Sequence, residues 1–152
     1  MLIGEAPGAE EDRRGLPFVG KAGHLLDRML AAIGRDRDSA YITNMLFWRP
    51  PGNRAPTTEE VALCRPFVDR HIVLARPRVV VCVGGTAAKA LLARSEGITR
   101  LRGRWYEVQL DGFDRPIATT AIYHPAYLLR QPAQKRHAWR DLRDIRAKLE
   151  IS

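Results

Sequence analysis

Between Gly20 and Gly34 apolar residues fall at Ala22, Leu25, Leu26, Met29, Leu30 and Ile33, a helical spacing that Gly34 is suited to stop. Before that helix, residues 1–4 read as a short buried strand. The segment Glu5–Gly20, rich in glycine, proline and acids, reads as a functional loop. A strand at the first residue suggests that something is missing upstream. Ala40–Asn44 reads as a second strand, with the loop Trp48–Pro56 after it. Thr57 opens a helix, and Glu60 completes a capping box. Pro66 lies inside that helical pattern and is expected to kink or interrupt it. The β-branched run Arg78–Val83 predicts a central strand, turned by Gly84-Gly85-Thr86 into a helix over Ala87–Ala93. A strand pair is expected at Trp105–Leu110 and Pro116–Ile122. The last helix, Pro132–Leu149, is expected to bury Trp139, Leu142, Ile145 and Leu149.

Strands alternating with helices predict an α/β layered fold on a mainly parallel sheet, here one domain over residues 1–152. Such sheets bind ligands at the carboxyl ends of their strands. Three candidate motifs fall there, from Glu5 onward, at Asn44 and at His124.

Charge narrows the partner. The formal net charge is +8 and the pI near 10.2, which favours an acidic partner, nucleic acid first and an anionic membrane second. No run approaches the ~20 apolar residues of a membrane span, and Glu5 interrupts the opening Met-Leu-Ile-Gly, unlike a signal peptide. Cys64 and Cys82 form no CxxC, so neither a disulfide framework nor a zinc site is indicated, and a cytoplasmic setting follows as the default.

Each candidate residue has a functional and a plain reading. Glu5 can orient water or stabilise a developing cation, or be a solvated loop acid. Phe18, just before a helix start, can stack on a base or serve as a hydrophobic staple. Asn44 presents donors and an acceptor at once, which suits the edge of a base such as uracil; a turn role is the alternative. His124 can donate to an oxygen that becomes anionic, or cap a turn. Gly84-Gly85-Thr86 can offer backbone N–H groups to phosphate but matches neither GxxxxGK[ST] nor GxGxxG. Loop arginines near the expected mouth, Arg54, Arg102 and Arg130 among them, suit DNA better than the arginines of the last helix, which read as a solvated face.

Taken together, GEAPGAEED (Gly4–Asp12), GLPFVGKAG (Gly15–Gly23), YITN (Tyr41–Asn44), RPPGNRAPT (Arg49–Thr57) and HPAYLLR (His124–Arg130) resemble the family 4, thermostable-type uracil-DNA glycosylases. The resemblance spans roughly residues 1–143. It implies a three-layer αβα sandwich and a monofunctional enzyme that flips uracil out of single- or double-stranded DNA and hydrolyses its N-glycosidic bond; a monomer is expected. It places Glu5 near the attacking water and His124 on uracil O2, both catalytic. Phe18 would stack on the base and Asn44 read its edge, with Gly4 and Ala6 also in the uracil-binding set. Apart from the resemblance, the residue reading above makes Gly85, Thr86, Arg54, Arg102 and Arg130 the DNA-contacting candidates. A non-catalytic relative that binds uracil or abasic DNA is the alternative.

The family commonly carries a [4Fe-4S] cluster on four cysteines. Here Trp48 stands at one ligand position, two upstream positions are absent, and Cys64 alone matches a ligand. The expectation is therefore no cofactor and no metal.

Overall fold

The computed structural model describes residues 1–151. Among the described residues five strands form one sheet: β1 (Leu2–Gly4), β2 (Ile42–Asn44), β3 (Val79–Val83), β4 (Tyr106–Val108) and β5 (Ile117–Ile122), ordered β2-β1-β3-β5-β4. All neighbours are parallel except the edge pair β4–β5. The helices are α1 (Ala9–Arg14), α2 (Lys21–Ala32), α3 (Thr58–Ala75), α4 (Gly85–Leu92), α5 (Ile98–Leu101), α6 (Pro125–Arg130) and α7 (Lys135–Ile151).

The side-chain alternation of β3 divides the core into two faces. Val79, Val81 and Val83 join Leu2 and Ile122 beneath α2, α6 and α7, through Leu25, Leu26, Met29, Leu128, Leu142 and Ile145. Val80 and Cys82 join Ile3 and Ala121 beneath α3, α4 and α5, through Val68, Ile72, Ala87, Ala88, Leu91 and Leu101. With helices on both faces, this is the expected αβα layering. None of the described helices is long and apolar enough to cross a membrane.

Four expectations change. The stretch Glu5–Gly20 contains α1, started by acids and stopped by Gly15 at φ +69°, a backbone shape glycine adopts without strain. Short α5 and α6 also escape the sequence reading. Pro66 does not interrupt α3, which runs unbroken from Thr58 to Ala75. Both Pro66 and Ala62 are solvent-exposed, so water can satisfy the carbonyl that proline leaves without a donor. Finally, α7 buries Ala138, Asp141, Leu142 and Ile145, while Trp139 is 49% exposed and Leu149 only partly buried.

Candidate active site

The parallel strands end on one edge of the sheet, and the chemistry gathers there. Asn44 is the last residue of β2 and pairs in register with Gly4, the last of β1; Glu5 follows Gly4, Gly84 follows β3, and His124 lies two residues beyond β5. Backbone bonds lock the first two ends together, Met45 N–H donating to Gly4 O at 2.8 Å and Leu46 N–H to Glu5 O at 3.0 Å. A pocket on this edge is lined by Ala6, Gly8, Glu11, Phe18, Ala22, Gly23, Asn44 and His124.

Phe18 forms one wall. Its backbone is left-handed at φ +52°, a shape that costs a non-glycine residue on the order of 1 kcal/mol or more. Two clamps hold it. Glu11 Oε2 accepts from Val19 N at 2.7 Å and Gly20 N at 2.8 Å, while its Oε1 accepts from Gly8 N at 3.0 Å. Burial alone would push the Glu11 carboxyl up, but these backbone donors bring it below the usual carboxylate range. From the other side, Arg37 donates to Pro17 O at 2.7 Å and also to Phe18 O.

Glycines give the ring and its loop their room. A Cβ on Gly4 would lie 2.5 Å from Phe18 Cζ, and one on Gly23 would lie 1.8 Å from Phe18 O. The ring stands 5.7 Å from the His124 ring, tilted by 30°. Phe18 is 6% exposed and belongs to the core cluster beneath α2, two positions before the N-cap Gly20, so it packs on the helix as well as lining the pocket.

Asn44 is 5% exposed, and its Oδ1 is buried with no hydrogen-bond partner. A buried acceptor left unpaired costs about 1–3 kcal/mol. Here it lines a pocket, where an arriving N–H donor would satisfy it.

His124 does cap a turn: as N-cap of α6 its Nδ1 accepts from Ala126 N at 3.0 Å. That bond makes Nδ1 the acceptor and leaves the proton of the neutral ring on Nε2. Burial pushes the imidazole pKa down. Arg130 adds to this, and Glu5 and Glu11 oppose it, so the neutral ring is favoured. The cap and the donor role are thus compatible uses of the same side chain.

Glu5 is half-buried, and its Oε2 accepts from the Thr86 hydroxyl at 2.7 Å. Gly85 and Thr86 are the first two residues of α4, whose N-cap Gly84 has φ +96°. The three basic candidates differ. Arg130 is exposed at the end of α6. Arg54 is tied to Glu60 at 2.6 and 3.2 Å. Arg102 lies bidentate on the buried Asp141, at 2.6 and 2.8 Å, with Tyr123 beneath it. The structure therefore brings Gly4, Glu5, Ala6, Phe18, Asn44, Gly85, Thr86 and His124 to one edge, and engages Arg54 and Arg102 in ion pairs.

Glu11 and Arg37 escape the sequence reading. An acid three residues after Gly8 at a helix start was a usable capping signal for Glu11. Arg37 reaches back 19 residues, and no local pattern marks it.

A four-iron cluster takes four thiolates as a rule, and the residues present do not fit one. Cys64 is buried on α3. Cys82 lies inside β3, its thiol pushed up to about 12 by burial, the reverse of what a metal ligand needs. At the position that resemblance gives to a third cysteine, the Trp48 indole N–H donates to Glu60 Oε2 at 3.3 Å. That carboxylate also accepts Arg54 and Thr57 N, which hold it down to about 2.

Comparison with known proteins identifies the family. Residues 1–143 match the sequence model of the uracil DNA glycosylase superfamily. The type-4 uracil-DNA glycosylase of Archaeoglobus fulgidus is 43% identical over 149 residues, covering 95% of this chain and 74% of that relative. The type-4 enzyme of Pyrobaculum aerophilum is 40% identical over 93% of this chain and 74% of its own length. That of Sulfurisphaera tokodaii is 37% identical over 96% and 68%. The chain therefore belongs to the uracil-DNA glycosylase superfamily, among its type-4 members.

Proposed function

We propose that this chain is a monofunctional uracil-DNA glycosylase: it takes uracil out of the DNA stack and hydrolyses the bond between N1 of the base and C1′ of the sugar. The supporting observation is the unpaired Asn44 Oδ1 in a pocket walled by Phe18, with the His124 Nε2–H as a second polar group. Uracil offers an N3–H donor beside carbonyl acceptors, and it is flat enough to stack on a phenyl ring. Asn44 would read N3–H, Phe18 would stack, and His124 would donate to O2, with Gly4 and Ala6 giving the base room.

As the N1–C1′ bond breaks, its electron pair leaves with uracil and the sugar becomes cationic. A neutral histidine donor suits the anionic oxygen without giving up its proton, and a single such donor is worth roughly 3–4 kcal/mol. Glu5 suits the cation and the water. The water oxygen bonds to C1′, and its proton passes by way of the carboxylate to uracil. An abasic site and free uracil remain. Stacking on Phe18 recovers about 1–3 kcal/mol of the few spent in flipping the base.

DNA would lie along the same edge, with phosphates at the N–H groups of Gly85 and Thr86 and at Arg130. Arg54 and Arg102 would have to exchange their present carboxylate partners to join them. The reading includes a monomer without an iron–sulfur cluster, working in the cytoplasm, where two buried free thiols need no oxidising environment.

A uracil-containing oligonucleotide tests this directly. The parent chain should yield alkali-labile abasic strand. Glu5→Ala should lower the single-turnover rate far more than DNA affinity. Asn44→Ala should lower the preference for uracil over cytosine, whose N3 carries no hydrogen, by roughly 5- to 150-fold, the equivalent of ~1–3 kcal/mol. Binding without any strand product from the parent would instead mark a non-catalytic relative.

A further inference from the structure

Thr86 and Glu5 are 81 residues apart in sequence and joined by a 2.7 Å hydrogen bond in which the hydroxyl is the donor. Among the described residues no other side chain hydrogen-bonds to the Glu5 carboxylate. A threonine hydroxyl has a single proton to give. Phosphate oxygens at neutral pH are chiefly acceptors, so a hydroxyl turned onto Glu5 has nothing left to donate to DNA. The Thr86 side chain is thus engaged elsewhere than in the backbone contact its position at a helix start suggests.

What it does hold is the aim of Glu5. A glutamate on a loop has three side-chain torsions to settle, whereas a β-branched threonine is stiff at its one heavy-atom torsion. The support behind Thr86 is firm. Gly84 N–H donates to Ile122 O at 3.0 Å, and Gly84 O accepts from Ala88 N at 3.2 Å. Gly84 also lies against His124, since a Cβ there would come within 3.3 Å of His124 Cβ. The start of α4 therefore ties the β3 end to the β5 end, and Thr86 extends that tie to the residue after β1. With Oε2 held, Oε1 remains for water.

We propose that Thr86 is a positioning residue that orients the Glu5 carboxylate for hydrolysis through its hydroxyl. This rests on the reading of Glu5 given above. Misplacing a reacting group by about an ångström can cost on the order of 100-fold. The expected loss in Thr86→Val, which keeps the shape and removes the hydroxyl, is therefore about 10- to 100-fold in single-turnover uracil release. Affinity for uracil-containing DNA should stay within about twofold.

The test is a double-mutant cycle with a conservative rescue, run on Thr86→Val, Thr86→Ser, Glu5→Ala and the Thr86→Val/Glu5→Ala pair. Thr86→Ser should recover the rate to within about threefold of the parent. In the Glu5→Ala background, Thr86→Val should cost less than about twofold, because no carboxylate is left to orient. An undiminished loss in that background overturns the positioning role, and so does a loss seen in affinity instead of rate. Failure of Thr86→Ser to recover the rate, with its melting temperature unchanged, overturns it as well. If Glu5→Ala itself keeps the parental rate, the reading of Glu5 falls and takes this inference with it.

Discussion

Gly4→Ala is the smallest change that tests how closely the pocket is fitted. The new methyl carbon would lie 2.5 Å from Phe18 Cζ, 2.8 Å from Phe18 Cε2 and 2.6 Å from Asn44 Oδ1, each well inside van der Waals contact. Relief by moving the backbone is blocked, because Gly4 pairs with Asn44 across the β1–β2 ladder and its carbonyl accepts Met45 N–H. Relief by moving Phe18 is resisted from behind by Glu11, Arg37 and Gly23. Overpacking of this kind costs about 1–3 kcal/mol, a fall in melting temperature on the order of 2–12 °C for a chain of this size. The ring is then displaced from the stacking position proposed for it, and on that proposal single-turnover excision falls by roughly 5- to 150-fold. Thermal denaturation and single-turnover uracil release, measured on the same preparation, give both quantities. Excision within twofold of the parent, with a melting temperature within 1 °C or so, would refute the close fit of Gly4, Phe18 and Asn44.

Three further outcomes are expected. Because burial depresses the His124 pKa below 6.5, the unfolded chain takes up that proton first as pH falls. The stability that neutral His124 contributes is therefore present above the ordinary histidine value and lost as pH drops toward the folded one. Melting curves of parent and His124→Gln from pH 7.5 to 5 should converge toward acid, and a constant gap would contradict this. DNA affinity should fall with salt at about 0.9 log units per log unit for each duplex phosphate contact, and Arg130→Ala should make the slope shallower by about one unit. An unchanged slope would remove Arg130 from the interface. The purified 152-residue chain should be colourless and indifferent to chelators, whereas stoichiometric iron with broad absorption near ~400 nm would overturn the ligand count.

The parts of this molecule legible in the sequence are those with short-range signatures. β3 announces itself as Val-Val-Val-Cys-Val, α2 as a 3.6-residue stripe, and the start of α3 as a Thr57–Glu60 capping box that the structure reproduces with both bonds. That Glu5, Asn44 and His124 lie together is legible because strand ends in a parallel sheet share an edge. Longer-range facts were hidden. Arg102 looks like a loop arginine until α7 brings Asp141 beneath it, 39 residues away. Trp139 has the spacing of a core residue, but the sheet surface available to α7 is already filled by Ala138, Leu142 and Ile145. Pro66 sits inside an unbroken α3 whose surface is exposed at Ala62 and Pro66, and that exposure is not written in the local pattern.

The left-handed turn at Phe18, clamped by Glu11 and Arg37, has a consequence for which substrates are worked on fastest. A reader that is already shaped in the free protein adapts little, so the distortion needed for recognition falls almost wholly on the nucleic acid. The rate should then track how easily each DNA context gives up its base. Unpaired strands yield uracil most readily, mispairs with guanine next, and well-stacked pairs with adenine last. Local duplex melting, a property of the lesion's neighbourhood, would thereby decide which uracils are removed first.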